Sequence, residues 1–217
     1  MASVLTVNSA HVSPGVRAAT TGIDKRPVDG PVEVRPPGSM RDGLGSGIVG
    51  DSIGNRKYHG GDDQAVYAYA REDLDVWQER LERELPNGTF GENVTTSGVD
   101  VTGALIGERW RIGSDGLVLE VTRPRTPCRT FEVRLGIRGW IKTFTHGGSP
   151  GAYLRIIEPG HVRAGDAVEI VHRPDHDVTI GTVYRAMMLE PDLMPSLLVA
   201  DALPEALKRK ARKRAAS

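Results

Sequence analysis

Short apolar-rich runs, several alternating with polar residues, punctuate the chain: SVLTVNSA, VEVRP, QAVYAYA, LIGERWRIG, LVLEVTRP, AYLRIIE and AVEIVHR. Each is rich in β-branched or aromatic residues and bounded by Gly, Pro, Asp or Ser, which predicts strands. Between the fourth and fifth runs, Ser114-Asp115-Gly116 supplies a tight turn and predicts an antiparallel hairpin. Helical patterns do not alternate regularly with these strands, which argues against a parallel α/β fold. The expected fold is mainly β with peripheral helices: an antiparallel β-barrel followed by a small C-terminal helical extension.

One helix is predicted over residues 71–85, where Leu74, Trp77, Leu81 and Leu85 recur at spacings of three and four and Pro86 stops it. Phe131, Leu135, Trp140, Ile141 and Phe144 suggest one or two short helices broken by Gly136 and Gly139. After Asp177, a candidate helix cap, the runs VTIGTVYRAMM, DLMPSLLVADA and PEALKRKARKR read as a helical tail. This divides the chain into a barrel domain, residues 1–176, and an extension with a basic end, residues 177–217. Residues 36–55 hold Gly, Ser, Asp and Arg with few apolar residues and are expected to form a mobile loop.

At 217 residues the chain can bury roughly 70% of its unfolded surface without disulfides. Lys plus Arg and Asp plus Glu both number 28, so any basic surface must be local. The single cysteine forms no internal disulfide, which suits a reducing compartment. No basic leader opens the chain and no run approaches the ~18 apolar residues of a membrane helix, so a cytoplasmic protein is expected, without a membrane partner.

Three segments carry candidate chemistry. Cys128 lies in VTRPRTPCRTF, directly after a predicted strand and beside Arg123, Arg125 and Arg129. Guanidinium groups this close favour the ionised sulfur, the form that ligates metals or attacks electrophiles. The opposing reading is a small buried hydrophobe. In RKYHGGDDQAVYAY, the basic residues Arg56, Lys57 and His59 precede two glycines, a pattern suited to an oxyanion but also to an ordinary turn. In TFGENVTTSG, Glu92 and Asn93 offer an acceptor and an amide, or merely local loop bonds. Gly45, Gly47 and Gly50 fit GxGxxG but lack a preceding strand, which removes dinucleotide binding there. No CxxC or HExxH string occurs.

HGGDDQAV, FGEN, RPRTPC and GAYLRIIEPGHVRAGD, in that order, resemble the MOSC domain family, the C-terminal domain of molybdenum cofactor sulfurases. The resemblance runs from Val4 to Pro174, and the trailing helices resemble the three-helix extension of its bacterial hydroxylaminopurine-reductase branch. The loop over residues 36–50 is longer and more glycine-rich than the family pattern, and the tail after Ala200 is short and basic. The resemblance implies a β-barrel carrying a molybdopterin-type molybdenum cofactor, with Cys128 as sulfur ligand to molybdenum and as the catalytic residue. It implies cofactor-binding roles for Lys57, His59, Asn93, Arg125, Tyr153 and Arg155; Tyr153 and Arg155 share one strand face.

The implied reaction is the two-electron reduction of N-hydroxylated bases or amidoximes, a detoxifying reduction of N–OH that yields amine or amidine and water, with Glu92 or a cofactor-bound water delivering protons. Since no flavin, haem or iron–sulfur motif occurs, a separate electron-donor protein is an expected partner. A homodimer is compatible with this reading. Two alternatives stand beside it. One is a non-catalytic carrier of the cofactor or of sulfur on Cys128. The other is a nucleic-acid-associated barrel using KRKARKR at residues 208–214, although a charge run without stacking aromatics gives only salt-sensitive binding.

Overall fold

The computed structural model describes residues 1–16 and 18–216. In chain order its elements are β1 (Ser3–Ala10), β2 (Ser13–Pro14), β3 (Thr20–Thr21), β4 (Lys25–Pro27), β5 (Val32–Val34), β6 (Val66–Ala70), α1 (Arg71–Leu81) and β7 (Val94–Ser97). There follow β8 (Arg109–Ile112), β9 (Leu117–Pro124), α2 (Arg129–Leu135), α3 (Trp140–Gly147), β10 (Ala152–Glu158), β11 (Gly160–Val162), β12 (Val168–His172), α4 (Ile180–Met188) and α5 (Glu205–Ala215). Short 3-10 segments occupy Asp62–Gln64 and Pro191–Val199.

The main sheet has eight strands in the order β12-β8-β9-β10-β6-β7-β1-β4. Its pairings are antiparallel except β6 with β7, which run parallel because α1 lies between them in the chain. The predicted hairpin is present, with Arg109 opposite Glu120 and Ile112 opposite Leu117. The expected closed barrel is not found: the ladder ends at β12 and β4. The β12 side comes back to the sheet at the start of β1, where the Val4 N–H donates to the Asp166 carbonyl at 2.8 Å, the Val168 N–H donates to the Ala2 carbonyl at 3.0 Å, and Ser3 forms an isolated antiparallel bridge with Ala167. Among the described residues a single bridge, not a continuous ladder, links β1 to the segment leading into β12.

β6 separates two cores. Val66, Ala68 and Ala70 face an aliphatic core shared with β1, β7, β9 and β10. Tyr67 and Tyr69, on the opposite face, join an aromatic core built with Trp77 of α1, Phe131 of α2, and Trp140 and Phe144 of α3. A strand covered on both faces reads as an unbroken apolar run, which is what VYAYA shows. The aliphatic core continues into the C-terminal helices through Val183, Leu197, Leu207 and Ala211.

Three local expectations are corrected. The first helix ends at Leu81, not Leu85, because Glu82 takes a left-handed conformation (φ 50°) and its N–H returns to the Gln78 and Glu79 carbonyls. Leu85 still reaches the aromatic core, from the following loop. The segment 36–55 is irregular yet held: the Arg35 N–H donates to Gly47 at 2.9 Å, the Gly47 N–H to Ala65 at 2.8 Å, and Ser46 and Ile48 are buried. Gly47 is tightly packed: a Cβ there would lie 2.6 Å from the Ile156 Cδ1 and 3.0 Å from the Ala65 carbonyl oxygen. The cap of α4 is Thr179, not Asp177; its hydroxyl accepts from the Thr182 N–H at 3.0 Å. Thr179→Ala is expected to cost about 1 kcal/mol, read as a lower urea midpoint at unchanged slope.

Candidate functional site

One cavity of about 850 Å³ opens where the β9–α2 connection meets the loops before β6 and β4. Among the described residues its lining includes Lys25, Lys57, Arg123, Arg125 and Arg129 and contains no Asp or Glu. Cys128, His59, Asn93, Tyr67 and Tyr153 also line it. Strand β9 leaves the sheet at Pro124, so Arg125 turns inward and the chain delivers Cys128, partly exposed, to the N-cap position of α2. The Cys128 side chain makes no capping bond.

Arg125 is 6% exposed, and its guanidinium lies between the rings of Tyr67 and Phe131, 4.8 and 5.0 Å from their centroids. One nitrogen donates to the Phe90 carbonyl. The Nε atoms of Arg123 and Arg125 are buried without a partner. Such donors cost free energy unless a ligand accepts from them. Tyr153 stands opposite Arg123 across β10 and β9 and packs its ring against Tyr67 at 5.2 Å.

His59 differs from its expected role as a cation. Burial, with the positive charges of Arg125 and Arg123, pushes its pKa down to about 4, so the imidazole is neutral near pH 7. The folded state therefore disfavours protonation, and the contribution present above the unfolded pKa near 6.5 is lost as pH falls from there towards 4. Melting temperature measured against pH should decline over that window, and His59→Gln should flatten part of the decline.

Asn93 lines the cavity but is bound into the frame. Its amide donates to Asp51 Oδ2 at 2.9 Å, and its oxygen accepts from the Tyr67 N–H at 3.1 Å. Asp51 also accepts from Lys25 Nζ, Ser46 Oγ and the Ala10 N–H, and holds the buried Lys25 beside the cavity. This pair is not visible as a motif, because its members lie far apart in the chain and each alone resembles a surface charge. Glu92 is not placed to deliver protons: it is fully buried and accepts from the Gly88 and Phe90 N–H groups and the Thr95 hydroxyl. Burial raises its pKa, and it lies outside the cavity lining.

Arg155 is a correction. It shares a strand face with Tyr153, but it stands further along β10 beyond a register shift. There its guanidinium pairs with Asp63 and, at 2.9 Å, with Glu120, beside a separate depression. Arg123, read from the sequence only as a neighbour of the sulfur, takes the cavity position instead.

Sheet and cavity together define a β-rich protein with a cationic, carboxylate-free pocket built around one sulfur. A profile of the MOSC domain matches residues 55–169. The chain is 31% identical to the uncharacterised protein YflK of Bacillus subtilis, over 74% of this chain and 67% of the relative. It is 30% identical to the protein YiiM of Escherichia coli, over 77% of this chain and 76% of the relative. A Gibberella moniliformis protein named reductase is 27% identical over 85% of this chain, which spans 32% of that protein. The crystal structure of YiiM from Geobacillus stearothermophilus matches with a TM-score of 0.79 at 25% identity, covering 99% of both chains. The chain belongs to the MOSC domain family.

Among the described residues no group of three or more His, Cys, Asp or Glu side chains is placed to hold a metal ion. No helix among them is long and apolar enough to cross a membrane.

Proposed function

We propose that the cavity holds a molybdopterin-type molybdenum cofactor and that the protein reduces N-hydroxylated compounds with electrons from a separate donor protein. The observation that carries this reading is the cavity itself, lined among the described residues by five Lys or Arg side chains and no carboxylate, with the buried unpartnered Nε atoms of Arg123 and Arg125 around Cys128. The residues fit the group. An anionic ligand would satisfy the two orphaned donors, and a metal bound to a single protein sulfur requires a cofactor that brings most of its own ligands.

When bound, the cofactor supplies two-electron redox chemistry at a metal with an open coordination position. Cys128 would hold that metal from the N-cap of α2. Arg125, fixed by two rings and the Phe90 carbonyl, and Lys57, at the exposed rim, would hold the anionic part. Asn93 contributes indirectly, by holding Asp51 and through it Lys25.

The test is anaerobic turnover of an amidoxime or an N-hydroxylated base by cofactor-loaded protein with reduced viologen as donor. Stoichiometric release of amidine or amine is expected. Full cofactor loading without turnover would favour a carrier and overturn the reductase reading.

A further inference from the structure

Reduction of R–NH–OH to R–NH2 and water consumes two protons with two electrons, yet the cavity offers no carboxyl group. Its histidine is neutral near pH 7, and an arginine does not give up its proton. The Tyr67 hydroxyl donates to the Pro150 carbonyl at 2.8 Å. Glu92 has its carboxylate occupied by backbone donors and stands outside the lining. Lys25 is tied to Asp51, and Lys57 sits at the exposed rim.

Tyr153 is different. It lines the same cavity as Cys128, and both side chains pack against the aromatic core. Its backbone is fixed in β10 opposite Arg123, and its ring is seated on Tyr67. Positive charge from Arg123 and Arg125 reaches the phenol. Burial raises its pKa, so the proton is present at neutral pH, while the two guanidinium groups would stabilise the phenolate left after transfer.

We propose that Tyr153 is the proton donor for cleavage of the N–O bond. The N–O bond breaks and the oxygen leaves as water, carrying the phenolic proton; solvent supplies the second proton and then restores the phenol. Two electrons come from an external one-electron donor such as reduced viologen. The inference rests on the N-hydroxy reductase reading.

The experiment compares wild type with Tyr153→Phe, which keeps the ring contact with Tyr67 and removes only the hydroxyl. Molybdenum content, melting temperature and KM should match wild type, while kcat falls on the order of 10²–10⁴-fold. A readout independent of turnover is tyrosinate absorbance near 295 nm in cofactor-free protein at neutral pH. The two proteins should be indistinguishable there, because Tyr153 keeps its proton; a tyrosinate band present only in wild type would overturn the proposal. Retention of kcat within about threefold would overturn it while leaving the reductase reading intact. Loss of molybdenum from Tyr153→Phe would make the residue a cofactor anchor and also overturn it. A wild type that binds molybdenum but reduces no N-hydroxy substrate would remove both readings.

Discussion

Cys128→Ser is expected to bring N-hydroxy reduction to background with the fold intact. Serine nearly preserves the shape of cysteine but is a harder and far less acidic ligand, so it does not replace a metal-bound sulfur. Stability should be unchanged or slightly higher, because position 128 is the N-cap of α2, where serine is among the preferred residues and the cysteine side chain makes no capping bond. A buried structural cysteine would behave in the opposite way, since an unpartnered hydroxyl in an apolar core costs about 1–3 kcal/mol while a remote site keeps working. Melting temperature and turnover measured on the same sample separate the two. Wild-type turnover by the serine variant would remove Cys128 from the chemistry.

Phe90→Ala should be the most destabilising single truncation near the site. The ring is fully buried and meets Tyr69 and Phe131 edge-on at 5.1 and 5.0 Å, with Trp140 and Phe144 both at 5.8 Å. Removing it leaves a cavity among stiff aromatic neighbours that have little freedom to collapse. The expected loss is about 3–5 kcal/mol, lowering the melting temperature on the order of 10 °C. Because the Phe90 carbonyl also holds Arg125, the variant should bind inorganic pyrophosphate more weakly than wild type below the melting transition. A loss under about 1 kcal/mol would mean that the aromatic core does not carry the stability ascribed to it.

How legible these features were in the sequence depended on whether their determinants were local. β1, β9 and β10 have their predicted bounds because apolar alternation and turn residues lie within the same few positions. Cys128 after a strand end was legible for the same reason. β7 escaped prediction because VTTS is polar in composition, although three of its four residues are buried. What places it is parallel pairing with β6, and parallel register leaves no turn signature.

Separation in the chain hid the rest. The Lys25–Asp51 pair and the Arg155–Asp63 pair join residues on different loops and strands, so neither is visible as a motif. Period-two reasoning correctly put Tyr153 and Arg155 on one face but could not say that Asp63 and Glu120 would claim the arginine. Likewise the basic letters around His59 suggested a third cation. Burial of that imidazole, with the charges of Arg125 and Arg123 beside it, keeps it neutral, and burial is a property of the packed structure.

The most direct test of the central claim is elemental and pterin analysis of protein freshly purified from a molybdate-supplied host, with Arg125→Met and Cys128→Ser prepared alongside. The account predicts molybdenum and fluorescent pterin in equal proportion in the wild type and depletion of both in Arg125→Met. In Cys128→Ser, molybdenum should be lost more completely than pterin. Wild-type protein carrying neither molybdenum nor pterin, and gaining neither on incubation with released cofactor, would contradict it.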